Sequence, residues 1–257
     1  MPVTSDLSFR GLCIADFNKD GKKDVYANGF PQWANYNFNR LLINGGDPFA
    51  TGDVYFFDQT SAYFSGMVFD GMSAVAARDF NNDGYPDIYL GRGWGGYQNR
   101  VLLNQGGKSF TDVTSTYLPS VADDTKMVHI EDLDLDGDFD LLSTNWGQNR
   151  IYLQEKDYKF ADATTSNLPT ESFQSLDACI ADYDEDGLPD IYTVNYDQKN
   201  SVYFNVGAGK FVSKPENLPW DQDYSRNCAA ADFDGDGDTD VFVSNAGLDS
   251  YFENTNN

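Results

Sequence analysis

Five short segments of this chain place aspartates at alternate positions around a glycine, a pattern suited to wrapping a hard cation in oxygen. They run from Asp16 to Asp24, Asp79 to Asp87, Asp132 to Asp140, Asp182 to Asp190 and Asp232 to Asp240. Positions 1, 3 and 5 of each nine-residue loop offer side-chain oxygens. These are Asp16, Asn18 and Asp20; Asp79, Asn81 and Asp83; Asp132, Asp134 and Asp136; Asp182, Asp184 and Asp186; and Asp232, Asp234 and Asp236. Position 7 would add a backbone carbonyl, from Lys22, Tyr85, Asp138, Leu188 and Asp238. Position 9 adds a further carboxylate, from Asp24, Asp87, Asp140, Asp190 and Asp240. A bidentate last aspartate and one water would complete the 6–8 oxygens that calcium takes at about 2.3–2.6 Å. Glycine at position 6 permits the sharp reversal that returns position 9 to the ion. Magnesium prefers a tighter octahedron, and no soft or imidazole ligand is present for zinc or copper. The expected cofactor is calcium, about five ions, one per loop.

An acidic turn without metal is the simpler reading of one such loop, because Asp and Gly favour turns in any case. Five copies with carboxylates at fixed positions argue against it. Two carboxylates about 4 Å apart repel by about 4 kcal/mol at an effective dielectric of 20, so three or four together call for a cation. An EF-hand shares the first six positions but needs Glu at position 12; here that position holds Ala27, Leu90, Ser143, Thr193 and Val243. Strand-like sequence also flanks each loop where an EF-hand needs helices.

The elements that must position these loops follow from their spacing. Successive first aspartates lie 63, 53, 50 and 50 residues apart, the mark of one supersecondary unit per repeat. In the second repeat, residues 73–78, 87–91, 100–104 and 110–114 read as four short strands joined by turns. Later repeats give the same series at 127–131, 141–144, 150–154 and 160–164, then at 178–181, 191–194, 201–205 and 211–213. The first strand of each is small and apolar, as expected of a strand covered on both faces near a crowded axis. Four-stranded meanders repeated radially make a β-propeller. The expected fold is therefore all-β, a propeller of four-stranded antiparallel blades forming a single domain over residues 1–257. The repeats span about 8–60, 73–115, 126–166, 175–213 and 225–257. The last is one strand short, and residues 2–5 are expected to complete it and close a five-bladed ring. A segment of a six- or seven-bladed ring is the alternative.

Composition narrows the function. The chain of 257 residues carries a formal charge of −24. If five divalent ions fill the loops, the balance falls to about −14. Such acidity argues against nucleic acid as a partner. Nineteen Phe, 16 Tyr and four Trp argue for a packed core over disorder. No apolar run is long enough for a helical membrane span, so no membrane insertion is expected. The N-terminus lacks the basic and apolar regions of a signal peptide and reads as a mature or recombinant boundary. Cys13, Cys179 and Cys228 are an odd number, each just ahead of a loop, and read as small buried hydrophobes.

The chain resembles the calcium-binding FG-GAP or VCBS-type repeats of integrin α-subunit propellers and their bacterial relatives. The five loops carry the resemblance, together with the frame Asn-Arg-(apolar)3-Asn…Phe-x-Asp-(Val/Ala)-Thr at residues 99–114 and, less fully, 149–164. Five repeats differ from the integrins' seven, and no Phe-Gly-Gly-Ala-Pro string is present. The resemblance implies that the ion sits between the first two strands and that ligands bind the opposite face.

That face would carry the connections between second and third strands, which hold Trp33, Trp94, Trp146 and Tyr196, with Trp220 in an inter-blade link. These aromatics are the candidate ligand contacts; packing between blades is the other reading. The longer connections of the first repeat, 30–38, 47–53 and 61–72, mark a candidate partner edge. His129, on an inner strand, reads as a packed imidazole. Arg40, Arg100 and Arg150, which open third strands, read as ties to neighbouring blades or carbonyls. The expected function is extracellular, cell-surface or periplasmic recognition of a protein or carbohydrate ligand. A calcium-dependent polysaccharide-active enzyme is the competing class, and a purely structural repeat unit the third. No nucleophile elbow or phosphate-cradling loop is visible.

Overall fold

A computed structural model describes residues 7–31, 39–69, 71–93, 96–214 and 224–255. They are almost entirely antiparallel β-structure, divided into two compact units, Met1–Thr125 and Lys126–Asn257.

The first unit holds two four-stranded meanders. One comprises Leu7–Ala15, Asp24–Pro31, Arg40–Asn44 and Phe56–Asp58, and the other Met72–Arg78, Asp87–Arg92, Arg100–Asn104 and Phe110–Asp112. The second unit continues the series. Thr125–Glu131, Asp140–Gly147, Arg150–Gln154 and Phe160–Asp162 form the third meander. Phe173–Ala181, Asp190–Asn195, Ser201–Asn205 and Phe211–Ser213 form the fourth. Ser225–Ala231, Asp240–Asn245 and Ser250–Phe252 form a three-stranded fifth. Residues 2–5, expected to complete it, lie outside the described residues. The third and fourth meanders join where Trp146 pairs with Gln174 and Gly147 with Phe173. A register shift recurs six residues ahead of the ion loop in the first, second, fourth and fifth repeats, at Arg10, Ser73, Leu176 and Arg226.

Apolar residues between the sheets form the cores. In the first unit Phe17, Tyr26, Leu41, Phe64, Met72, Ile88 and Phe110 are buried together, with Phe64 stacked on Phe110 at 4.9 Å. The connection 61–72 is therefore not a free partner edge: Tyr63, Phe64, Phe69 and Met72 fill this core. Inner strands are not covered on both faces throughout. Alternate side chains point to opposite faces, and Leu12 and Ile14, flanked by Cys13 and buried Ala15, are each 59% exposed.

The sequence frame has a physical content that strand propensity hides. Asp58, Asp112 and Asp162 end the fourth strands, and each accepts the N–H of a threonine two residues on, at 3.0 Å. Single helical turns follow, Thr60–Tyr63, Thr114–Tyr117 and Thr164–Asn167, where residues 113–114 and 163–164 were expected to extend the strand. The threonine Oγ1 in turn accepts a third-strand N–H, from Leu41, Val101 and Ile151 at 2.9–3.2 Å. Arg40, Arg100 and Arg150 lie 3.3, 3.7 and 3.2 Å from the same three aspartates, so they brace third strand to fourth within one blade. Arg100 also donates to the Val68 carbonyl.

The cysteines depart from expectation. Cys179 and Cys228 form a disulfide between the inner strands of the fourth and fifth repeats, their Cα atoms 6.0 Å apart. An odd count forbids complete pairing and not one pair, and side-by-side inner strands supply the distance a bridge needs. Cys13 remains a thiol, pushed by burial up to about 12. Closing a loop of this length, at a separation of 49 residues, is worth about 4 kcal/mol in the chain-entropy account. Reductant should therefore lower the melting temperature measurably, and Cys228→Ser should reproduce the drop and abolish the response. Equal melting curves with and without reductant would show that the bridge does not form.

Candidate metal centres

Each ion loop is an arc of carboxylates bound to its own backbone. In the first four, the position-1 aspartate accepts from position 5 through Oδ1 and position 6 through Oδ2, as Asp16 does from Asp20 (3.1 Å) and Gly21 (2.8 Å). In the fifth, Asp232 accepts from Gly235 and Gly237. The position-5 aspartate accepts from position 7 in all five, at 2.8–3.0 Å. Position 6 has positive φ throughout, at Gly21, Gly84, Gly137, Gly187 and Gly237, as its glycine predicts. Position 4 has it too, and sequence reasoning missed this because only Gly235 is a glycine there. Lys19, Asn82, Leu135 and Glu185 take φ of 55–60°, an unfavourable region that the surrounding hydrogen bonds hold.

Position 9 is the most constrained. Asp24, Asp87, Asp140, Asp190 and Asp240 are at most 1% exposed. In every loop its Oδ2 accepts the position-2 N–H, from Phe17, Phe80, Leu133, Tyr183 and Phe233, at 2.9–3.0 Å. Its Oδ1 accepts a backbone N–H just at or beyond the end of the third strand, from Asn44, Asn104, Gln154, Asn205 and Asn254, at 2.7–2.8 Å. One carboxylate thus ties the loop's start to the third-strand end. Asp240 Oδ2 also accepts the Tyr251 hydroxyl at 2.9 Å.

The donor set fits a hard divalent cation. Ligand oxygens of Asp132, Asp134 and Asp136, of Asp182, Asp184 and Asp190, and of Asp232, Asp234 and Asp240 lie within 4.8 Å of one another. Asp184 Oδ1 is buried without any hydrogen-bond partner, as an oxygen reserved for an ion would be. The first two loops carry Asn18 and Asn81 at position 3, so neutral oxygens replace one carboxylate.

The opposite end of the second-unit meanders carries aromatic rings. Trp146, six residues beyond the last aspartate of its loop, is 42% exposed; its ring lies 6.4 Å from that of Tyr196, which lies 5.1 Å from Tyr224. Lys126 Nζ sits 4.2 Å over Trp146, and Arg226 Cζ sits 5.2 Å over Tyr196. Two of the five aromatics expected on this face are therefore adjacent, while Trp33, Trp94 and Trp220 lie outside the described residues. Tyr224 was missed: it precedes the fifth inner strand in an irregular link, and only the bridge it makes with Tyr196 reveals it. His129 is a packed imidazole, its Nε2 3.0 Å from Asp177 Oδ1.

The FG-GAP-like repeat model matches residues 16–90, 79–143, 132–193 and 182–243, each match beginning at the first aspartate of an ion loop. The chain belongs to the FG-GAP-like repeat family. No relative was found among curated protein sequences. Among solved structures, the chain is similar to the V. cholerae biofilm matrix protein Bap1, at 17% identity and a TM-score of 0.55 over 93% of this chain and 38% of that one. An Agrocybe aegerita lectin, described for specific recognition of non-reducing terminal N-acetylglucosamine, is similar at 16% identity and a TM-score of 0.48, over 95% of this chain and 65% of that one. The Photorhabdus luminescens Tc holotoxin pore is similar at 15% identity and a TM-score of 0.46, over 100% of this chain and 12% of that one. The chain thus spans less than two thirds of each of these proteins, and the Bap1 likeness bears on the fold alone.

Electrostatics link the loops to pH. Burial, reinforced by neighbouring aspartates and opposed by the backbone N–H bonds, pushes Asp87 and Asp140 up to about 7 and Asp190 up to about 6. Asp240 is instead lowered, chiefly by the Asn254 N–H. A raised carboxyl binds its proton more tightly folded than unfolded, where its pKa is about 3.9. The stability it contributes is present below about pH 4 and lost as pH climbs through about 6–7. A cation needs the ionised form, so its stabilising effect runs the other way. The rise in melting temperature on adding calcium chloride to chelator-treated protein should grow from pH 5 to pH 8. A pH-independent increment would contradict this coupling.

Proposed function

We propose that residues 1–257 form one calcium-stabilised propeller, closed by residues 2–5, that recognises a ligand outside the cell or in the periplasm. The observation that carries the recognition reading is the file of rings Trp146, Tyr196 and Tyr224 across three successive repeats, at the far end of the strands from the ion loops. Trp146 and Tyr224, each more than 40% exposed, with Gln174 paired beside Trp146, suit the alternating apolar and hydroxyl faces of a sugar chain. A carbohydrate is the ligand class we favour. A protein ligand is the second reading, since exposed Trp and Tyr also anchor protein interfaces.

Calcium is supported by the all-oxygen loops and the orphaned Asp184 Oδ1. A filled site at 100-fold excess over its dissociation constant adds about 2.7 kcal/mol. An oxidising compartment is supported by the Cys179–Cys228 bridge. No helix among the described residues is long and apolar enough to cross a membrane. Catalysis is the less favoured class because the gathered carboxylates are engaged by their own loop N–H groups.

Equilibrium dialysis should find about five calcium ions per chain, the stoichiometry one ion per loop requires. On a glycan array, Trp146→Ala and Tyr224→Ala should each weaken binding by about tenfold, the scale of an interface anchor. Their melting temperatures should stay near the parent value, because both rings are more than 40% exposed. Unchanged glycan binding in both variants would reject the strip as the ligand site.

A further inference from the structure

In the second, fourth and fifth repeats the asparagine near the end of the third strand does more than cap its own hairpin. Asn104 Nδ2 donates to the Pro86 carbonyl of its own loop (3.1 Å) and to the Phe17 carbonyl of the preceding repeat's loop (2.9 Å). Asn205 Nδ2 does the same with Pro189 (3.1 Å) and Leu133 (2.8 Å). Asn254 Nδ2 reaches Tyr183 of the preceding loop at 2.8 Å. The carbonyls reached, Phe17, Leu133 and Tyr183, all belong to position 2, whose N–H is bound to its own position-9 aspartate.

These bonds join end to end. In the second unit, Asp140 Oδ2 accepts from Leu133, whose carbonyl accepts from the Asn205 side chain. The Asn205 N–H donates to Asp190 Oδ1, and Asp190 Oδ2 accepts from Tyr183. The Tyr183 carbonyl accepts from Asn254, whose N–H donates to Asp240 Oδ1. The last aspartates of three loops thus share one unbroken chain of hydrogen bonds. In the first unit, Asp24 and Asp87 are joined through Phe17 and Asn104 in the same way.

We infer that Asn104, Asn205 and Asn254 are positioning residues that make cation binding cooperative between consecutive loops. The inference rests on the proposal that the loops hold cations. An ion drawing on Asp190 fixes Tyr183 and Asn205, and through them Asn254 and Leu133, whose N–H groups set the oxygens of Asp240 and Asp140 in the places an ion requires. Filling one loop thereby removes part of the ordering cost of its neighbour. Peptide groups polarised along a chain of hydrogen bonds reinforce one another in the same direction.

Calorimetric titration of the full chelator-treated chain with calcium chloride tests this. The parent should fill with a Hill coefficient above 1. Asn254→Ala leaves the backbone N–H on Asp240 in place and, among the described residues, removes the link to Tyr183. It should flatten the isotherm and raise the half-filling concentration by about fivefold, the lower range of measured couplings. Disabling the fifth loop with Asp232→Ala and Asp234→Ala should weaken the remaining sites about fivefold in the parent and by less than roughly twofold in the Asn254→Ala background. A purely structural asparagine would give the same loss in both backgrounds, and that result overturns the inference. If Asn254→Ala fails to give a native circular dichroism spectrum, Asn254→Ser replaces it in the same cycle. Uptake of calcium with unchanged coupling defeats the relay alone. No uptake by the parent defeats the cation proposal and the relay with it.

Discussion

A buried aspartate that accepts two backbone N–H groups from different segments is the constraint on which the rest of this structure depends. Asp24, Asp87, Asp140, Asp190 and Asp240 each fasten the start of a loop to the third-strand end. Hydrogen bonds to a charged group contribute about 1.5–3 kcal/mol each, so such a carboxylate can fix a hairpin even where the backbone is strained. Strain is present: Leu135 and Glu185 occupy the left-handed region without being glycine. In Asp24, Asp87, Asp140 and Asp190 the same carboxylate is driven toward its neutral form by burial among other acids. Holding it ionised at neutral pH is the task a cation would perform.

Polar side chains then carry the order of one repeat into the next. At the loop end the asparagine amides of Asn104, Asn205 and Asn254 do so. At the far end in the second unit, Asn149 and Asn200 each take an N–H from the second strand and give one to a hydroxyl near the start of the next inner strand, at Ser175 and Ser225. Between these rows lie the apolar cores, such as Leu133, Leu142, Ile151, Ile191 and Tyr203. Apolar packing supplies the larger share of the stabilisation. Directional bonds at both rims fix the register at which neighbouring sheets meet.

The periodic features were legible in the sequence. Loop spacing, strand alternation and the glycine at position 6 all found their place, because each follows from local backbone geometry. What was missed depends on a specific side-chain bond that propensity does not register, or on a partner distant in the chain. Val113 and Thr114 favour strands by propensity, yet the Asp112 side chain captures the Thr114 N–H and starts a helical turn. Cys179 and Cys228 stand three and four residues ahead of their loops, an offset that gave no hint of pairing. Arg40, Arg100 and Arg150, expected to tie to neighbouring blades or carbonyls, each also meet the aspartate that ends their own fourth strand, and Arg100 does reach the Val68 carbonyl. Tyr224 carried no periodic signal at all. For the candidate site, the gathering of carboxylates in each loop could be read from the sequence, while the double engagement of position 9 could not.

The offset between amide donor and carbonyl acceptor has an evolutionary consequence. Where the asparagine is present, each repeat supplies the amide that its predecessor lacks and offers the carbonyl that its successor needs. A whole copy duplicated in frame would therefore meet ready-made partners on both sides, whereas a break in mid-repeat would sever both. Copy number can drift by integral steps without inventing a single new contact, and the chemistry of the joint sets no preferred total.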